Sequence, residues 1–435
     1  MKIVQITPGA GTDFYCDNCL RDADLVLELR RRGHDTLMVP LYLPMAAEGT
    51  DPSQGVPVFF GGINVYLQQK SALFRRTPRW VDRLLDSPRL LRWVARRAAM
   101  TKAADLGEPT LSMLRGEAGR QVKELDRLVE WLRAEGRPDV VCLSNALLVG
   151  LVRRLKAELD VPVVCLLQDE DSFLDALPEP HRTAAWKTVA ERAAEVDAFV
   201  AVSRYYSRVM TARLAIDPRR VHVVHIGIDT AGYEPAAATP VPTIGYLGPL
   251  SRARGLDTLV EAFLALRSGG RWPALRLRIA GGQAPADQAF IAAVRRRLAE
   301  SGAEKDVEFL PALDRAGRPE FLRSLSVLSV PARQAEAFGI FLLESLASGV
   351  PVILSKIGAY PELLEATGGG RLVEPDDVAG LAASLAEMLA RPDEARATGE
   401  RGQRAVLDRF NVGRMADGMM EVFENVVAGS GGTHG

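Results

Sequence analysis

Short apolar runs alternate with stretches of three-to-four apolar spacing along most of the chain, which predicts buried strands separated by helices. The run at 2–7 leads into the tight turn 8–12 (PGAGT), a helix from about Cys19 to Gly33 and a strand at 36–41. Strand, glycine-rich turn and helix are the opening of a doubly wound parallel sheet. The pattern lapses between 56 and 118, then resumes with strands at 139–143, 161–167 and 197–202. Crossovers of this length require parallel pairing with a right-handed wind. PAAATPVP, 235–242, is the clearest linker. A second series follows it with TIGYLG from Thr243, LRLRIAGG, DVEFLP and the strand 327–330. Beyond Asp377 the pattern predicts helices only, to about 428, and then the tail GSGGTHG at 429–435.

The stretch 327–365 carries the candidate chemistry. A helix is expected at 338–348, stopped by Gly349, with Ile340, Leu343, Leu346 and Ala347 on its apolar face, and a strand from Pro351. Glu336 precedes this helix and Glu344 stands within it, about 12 Å apart at ~1.5 Å per residue. Between them lie the free N–H groups of the helix start, where the dipole favours an anion and Gly339 permits close approach. Two carboxylates flanking an anion site match the outline of sugar, diphosphate and ribose. The plain alternative makes Glu336 a first-turn charge and Glu344 part of a solvated face.

The segment E-A-F-G-I-F-L-L-E-S-L-A-S-G-V-P-V-I, followed by G-A-Y-P-E, resembles the donor-binding signature of the family 4 retaining glycosyltransferases. The resemblance implies a GT-B fold of class α/β: two doubly wound Rossmann-like domains facing a central cleft. It implies transfer of a sugar from a UDP- or GDP-type nucleotide diphosphate-sugar with retained configuration. It places Glu336 on the donor-sugar hydroxyls, Glu344 on the ribose, and Phe338, Gly339, Ile340 and Phe341 along the phosphate and sugar. The stretch from Gly248 to Gly255 resembles the family's phosphate loop G-R-x4-K-G. Arg254 there stands for the Lys, Pro249 replaces the Arg, and Arg252 is a second candidate cation. The same resemblance implies that Gln168 stands where relatives carry a histidine near the reacting carbon; glutamine forms hydrogen bonds but carries no proton charge. Asp169, Glu170 and Asp171 beside it read either as substitutes or as a solvated acidic loop. Gly282 closes the next strand, and Gly9, Ala10 and Gly11 form a candidate phosphate or acceptor loop. Asp13 and Phe14 break the G-x-G-x-x-G fingerprint, which disfavours a nicotinamide cofactor.

The expected domains are 1–231 with an insertion at about 56–118, a linker at 232–242, a donor domain at 243–408, and a helix at 409–428 crossing back to the first domain. Composition adds little: 47% hydrophobic, 25% charged and a net charge of −1 give no pull toward nucleic acid. The exception is 70–102, where ten Lys and Arg against Asp82 and Asp86 leave +8 among interleaved Trp and Leu. That stretch is a candidate for an anionic membrane surface or an anionic acceptor, or a solvated cap. The longest candidate span, 140–152, is too short and too polar for a bilayer crossing, and the apolar run before Pro8 is too short for a signal peptide. The expected location is the cytoplasm, peripheral at the membrane where 70–102 binds lipid. Cys16 and Cys19 form C-x-x-C, read as a redox pair, half a zinc site or two packed residues. No metal and no cofactor beyond the donor substrate is expected, since a helix N-terminus with Arg254 can take a cation's place. Rival readings are a nucleotide-sugar-binding protein without transfer and a membrane-surface scaffold.

Overall fold

The computed structural model describes residues 1–9, 17–42, 52, 53, 55–60, 103–235 and 241–431. The basic stretch 70–102, Ala10, Gly11, Cys16 and residues 236–240 of the expected linker lie outside them. Contacts divide the chain into two units, Met1–His225 with Val412–Gly435, and Ile226–Asn411.

The first unit holds a sheet of six strands, β1 (Lys2–Thr7), β2 (Asp35–Pro40), β3 (Val140–Leu143), β4 (Val163–Leu167), β5 (Ala198–Ala201) and β6 (Val221–Val223). The order is β2-β1-β3-β4-β5-β6 and every pairing is parallel. β3, β4 and β5 are buried at every residue, as strands covered by helices on both faces must be. The helix Asp17–Arg31 covers one face, and Gly33, at φ 87°, turns the chain into β2. The helix Val412–Gly431 packs on it: Arg32 donates to Asp417 at 2.6 Å and to the Gly413 carbonyl at 2.7 Å.

The second unit repeats the architecture with β7 (Thr243–Leu247), β8 (Arg276–Ala280), β9 (Val307–Leu310), β10 (Val327–Val330), β11 (Val352–Ser355) and β12 (Gly370–Val373). These strands stand in the order β12-β11-β10-β7-β8-β9, again all parallel. The chain winds outward from β7 in one direction and restarts beside it at β10. The β7/β10 boundary is therefore the topological switch point, where open α/β sheets bind ligands at the strands' carboxyl ends.

Several elements differ from the sequence expectation. The helix expected at 338–348 is Ile340–Ala347, because Gly339 sits at φ 114° as its N-cap. The two short strands β6 and β12 have no counterpart in the expectation; both are edge strands without a fully buried residue. The contact boundary falls before Ile226 rather than at 232–242. The reason is local: Ile228 donates to the Phe410 carbonyl at 2.9 Å and bridges Asn411, and Tyr233 reaches Glu344, so 226–235 belongs with the second unit.

Candidate functional site

In the second unit the loops after β7 and β10 meet at the switch point. Arg333 fastens them: its N–H donates to the Ala253 carbonyl at 2.8 Å, and its guanidinium reaches the Arg252 carbonyl at 2.7 Å and the carboxylates of Asp257 and Asp376. Gly255, at φ +71°, closes the same loop so tightly that a Cβ there would stand 1.8 Å from the Pro331 carbonyl oxygen. This bracing delivers Arg254 to Glu336, and their side chains form an ion pair. Tyr360 donates its hydroxyl to the same Glu336 oxygen. The Tyr360 ring is fixed in turn by an edge-on contact with Phe341, centroids 5.9 Å apart.

Behind Glu336 the helix Ile340–Ala347 begins without a side-chain cap. The first N–H groups of a helix have no partner within it, so this end is suited to an anion. A Cβ on Gly339 would come within 2.9 Å of Tyr360 Cε1, so the backbone here lies directly on that ring. Phe338 and Phe341 are buried beneath the turn. Glu344, one helical face further on, is only 4% exposed and so does not belong to a solvated face. Arg318 Nη1 donates to both of its oxygens, at 2.8 and 2.9 Å, and Tyr233 Oη donates to Oε1 at 3.0 Å.

The structure therefore brings Glu336, Arg254 and Gly339 into one constellation with Glu344 on the same helix. Arg252 is turned away, with its guanidinium 5.6 Å from the Phe290 ring and 3.9 Å from Asp257. Gly248 and Gly282 hold the neighbouring strand ends: Gly248 N–H donates to the Ala280 carbonyl at 3.0 Å, and the Gly282 carbonyl accepts from Leu250 at 2.8 Å. Pro249 uses its carbonyl to accept from Tyr246 Oη at 2.6 Å. Tyr360, Arg333, Arg318 and Tyr233 were missed by sequence reasoning. Tyr360, inside G-A-Y-P-E, and Arg333, three residues before Glu336, lay in the stretch 327–365 already marked; Arg318 and Tyr233 lay outside it.

In the first unit Gln168 is buried beyond β4 with both ends of its amide engaged. Oε1 accepts from Arg21, and Nε2 donates to the Ser144 carbonyl at 3.1 Å. Arg21 also pairs with the buried Asp22. Gly9, at φ 84°, follows β1; Cys19 is buried with Sγ 3.6 Å from Thr7 Oγ1.

Glu170 is not part of a solvated acidic loop, being 2% exposed. Its Oε1 accepts from Ala146 N–H at 2.9 Å, and its Oε2 from Gln168 N–H at 2.7 Å and Tyr206 Oη at 2.8 Å. One carboxyl thus ties together the chain after β3, β4 and β5. Burial pushes its pKa from 4.5 up to about 7 against these hydrogen bonds. The geometry fits a neutral acid: the single Tyr206 proton cannot serve both Glu170 and Asp171, which lies 2.9 Å away, whereas a protonated Glu170 can donate to Tyr206 while Tyr206 donates to Asp171. Because the folded pKa lies above the unfolded one, this stabilisation is complete below pH 4.5 and is lost as pH rises through about 7. The melting temperature of Glu170→Gln is expected to vary less with pH across that window than that of the unaltered protein, and parallel profiles would contradict the assignment.

Among the described residues no group of three or more His, Cys, Asp and Glu is placed to hold a metal ion. No helix among them is long and apolar enough to cross a membrane.

Comparison with known proteins points to one family. Residues 234–405 match the family model described as "Glycosyl transferases group 1", and residues 103–231 match "Glycosyltransferase Family 4". The chain is 29% identical over 325 residues to a D-inositol 3-phosphate glycosyltransferase of Salinispora arenicola, covering 69% of this chain and 71% of that one. It is 30% identical over 275 residues to an alpha-maltose-1-phosphate synthase of Mycolicibacterium smegmatis, covering 57% and 68% respectively. Alignments to such curated relatives span between 52% and 71% of their lengths. Among solved structures, HepE of Anabaena in complex with UDP superposes with a TM-score of 0.68 at 16% identity, covering 98% of this chain and all of the other.

Proposed function

We infer the reaction from one premise: the chain belongs to the family 4 glycosyltransferases, with the two Rossmann-like units of the GT-B fold. On that premise the donor is a nucleotide diphosphate-sugar bound in the second unit, and a hexose is transferred with retained configuration. The observation that carries this reading is the pairing of Arg254 with Glu336 at the uncapped start of Ile340–Ala347, with Glu344 further along the same helix. A cation and a helix N-terminus suit a diphosphate, and the two glutamates suit the hydroxyls on either side of it. A UDP donor is favoured over a GDP donor, because HepE was solved with UDP.

The protein's main contribution is electrostatic. As the sugar departs, charge grows on the leaving diphosphate, where Arg254 and the helix amides are already oriented. The leaving phosphate itself then assists deprotonation of the acceptor on the same face. The acceptor is proposed to carry a phosphate, as the names of the two curated relatives suggest. A screen of nucleotide-sugars with phosphorylated sugars and cyclitols, read by product mass and anomeric configuration, tests all of this. Nucleoside diphosphate release without a glycosylated product, or an inverted product, would refute it.

Arg254 and the helix amides supply the positive charge that a divalent cation supplies elsewhere, so activity is expected to survive EDTA undiminished. Loss in EDTA with recovery in magnesium or manganese would overturn this. The +8 stretch at 70–102 is proposed to hold the anionic acceptor or an anionic membrane surface, and this location at a cytoplasmic surface is part of the same reading. Acceptor KM is expected to rise with salt, since exposed charges are screened beyond ~10 Å at 0.1 M. Acceptor KM and liposome binding that both ignore ionic strength would leave 70–102 as a solvated cap.

A further inference from the structure

Glu344 poses a physical problem that its expected partner does not solve. A buried carboxylate on an apolar helix is costly unless it is paired and hydrogen-bonded. Arg318 supplies the pairing, with one nitrogen shared between the two oxygens at 2.8 and 2.9 Å. A donor placed on both oxygens restrains rotation of the carboxylate plane, which is otherwise a soft torsion. Tyr233 then adds a bond to Oε1 alone, at 3.0 Å. A carboxylate offers about four lone-pair sites, so this arrangement loads Oε1 with two donors and leaves Oε2 with one.

The two donors are also joined to each other. Arg318 stands at the start of the helix Gly317–Arg323, whose first N–H is held by Asp314 Oδ1 at 2.8 Å. Arg323, at the other end, donates to the Gly232 carbonyl at 3.0 Å, next to Tyr233. The Tyr233 turn is closed by its own N–H to the Thr230 carbonyl at 3.2 Å. One short helix therefore carries Arg318 and anchors the turn that carries Tyr233.

We propose that Arg318 and Tyr233 are positioning residues that orient Glu344 so that Oε2 receives a ribose hydroxyl of the nucleotide. This rests on the donor reading above and names residues that set its preference for a ribonucleotide. Neither residue touches the nucleotide in this scheme; both act through Glu344.

The test is a cycle between residue and ligand, using UDP and GDP, each as the ribo and the 2′,3′-dideoxy form, with affinities from calorimetry. The unaltered protein is expected to prefer the ribo form by about tenfold or more. Arg318→Gln should abolish most of that preference, weakening the ribonucleotide while leaving dideoxynucleotide affinity within about twofold. Arg318→Lys should recover part of it, and Tyr233→Phe should cost a few-fold in the ribo form only. In turnover the same variants should raise donor KM with kcat nearly unchanged, because ribose contacts are made equally in ground and transition states. Should Arg318→Gln fail to fold, Tyr233→Phe carries the same cycle with one hydrogen bond removed. Equal losses for both ligand forms, or unchanged ribo preference, would overturn the positioning role while leaving the donor site intact. An unaltered protein that binds neither nucleoside diphosphate would overturn the donor reading itself.

Discussion

Arg254→Ala is expected to lower kcat/KM by about tenfold to a hundredfold in a protein that still folds. The size follows from one charge-assisted hydrogen bond in a partly buried site, ~1.5–3 kcal/mol, at ~1.4 kcal/mol per tenfold in rate. The structure sharpens the expectation. Arg254 is the guanidinium paired with Glu336 at the β7/β10 switch point; Arg333 there is held by Asp257 and Asp376, Arg252 faces Phe290 and Asp257, and the resemblance to the phosphate loop puts Pro249 where a second arginine would stand. Arg254 is paired with Glu336 before any donor arrives, so a diphosphate must share or draw away that guanidinium. Arg254→Lys should recover only part of the loss, because a point charge replaces a fork able to grip two oxygens. Pro249→Arg is expected to tighten binding of the nucleoside diphosphate product by restoring a second cation. A folded Arg254→Ala protein with unchanged kcat/KM would remove Arg254 from the site and leave the helix amides as the phosphate contact.

What the sequence made legible was whatever is written locally. Alternation of apolar runs with three-to-four spacing identified ten of the strands, because a strand buried on both faces must be nearly all apolar. It missed the edge strands β6 and β12, which hold two apolar residues each, whereas the equally exposed edge strand β9 was legible from Val307, Phe309 and Leu310. Glu336, Gly339 and Glu344 were readable because nine consecutive residues, running from the loop before one helix through its cap and into the helix, contain them. The partners of Glu344 were not. Arg318 lies 26 residues from Glu344 and Tyr233 lies 111 away, and no periodicity links such pairs. At Glu170 the sequence left two readings open, a substitute for the histidine or part of a solvated loop, and only the fold removes the second. Three acidic residues in a row, 169–171, suggest exposure, but the chain after β4 turns the middle one inward beneath Tyr206 and the loop after β3. Burial there is decided by tertiary contacts that composition does not encode.

The two glutamates should separate kinetically. Glu336→Ala is expected to lower kcat by about a hundredfold, the order seen when one preorganised polar group is removed from a reacting centre. Glu344→Ala should chiefly raise donor KM. The difference follows from position: Glu336 stands with Arg254 and Tyr360 at the uncapped helix end, whereas Glu344 is held by Arg318 and Tyr233 further along the helix. Removing Glu336 also frees Arg254 from its pair. In a doubly altered protein lacking both, the losses should therefore fall short of additive, as expected for residues in contact. Glu336→Gln separates charge from hydrogen bonding: it keeps an acceptor for Tyr360 but no ion pair, and its kcat should fall between the two extremes. Equal kcat losses in Glu336→Ala and Glu344→Ala with donor KM unchanged would mean that neither carboxylate has the role assigned to it, and strict additivity with Arg254→Ala would mean that the ion pair has no part in turnover.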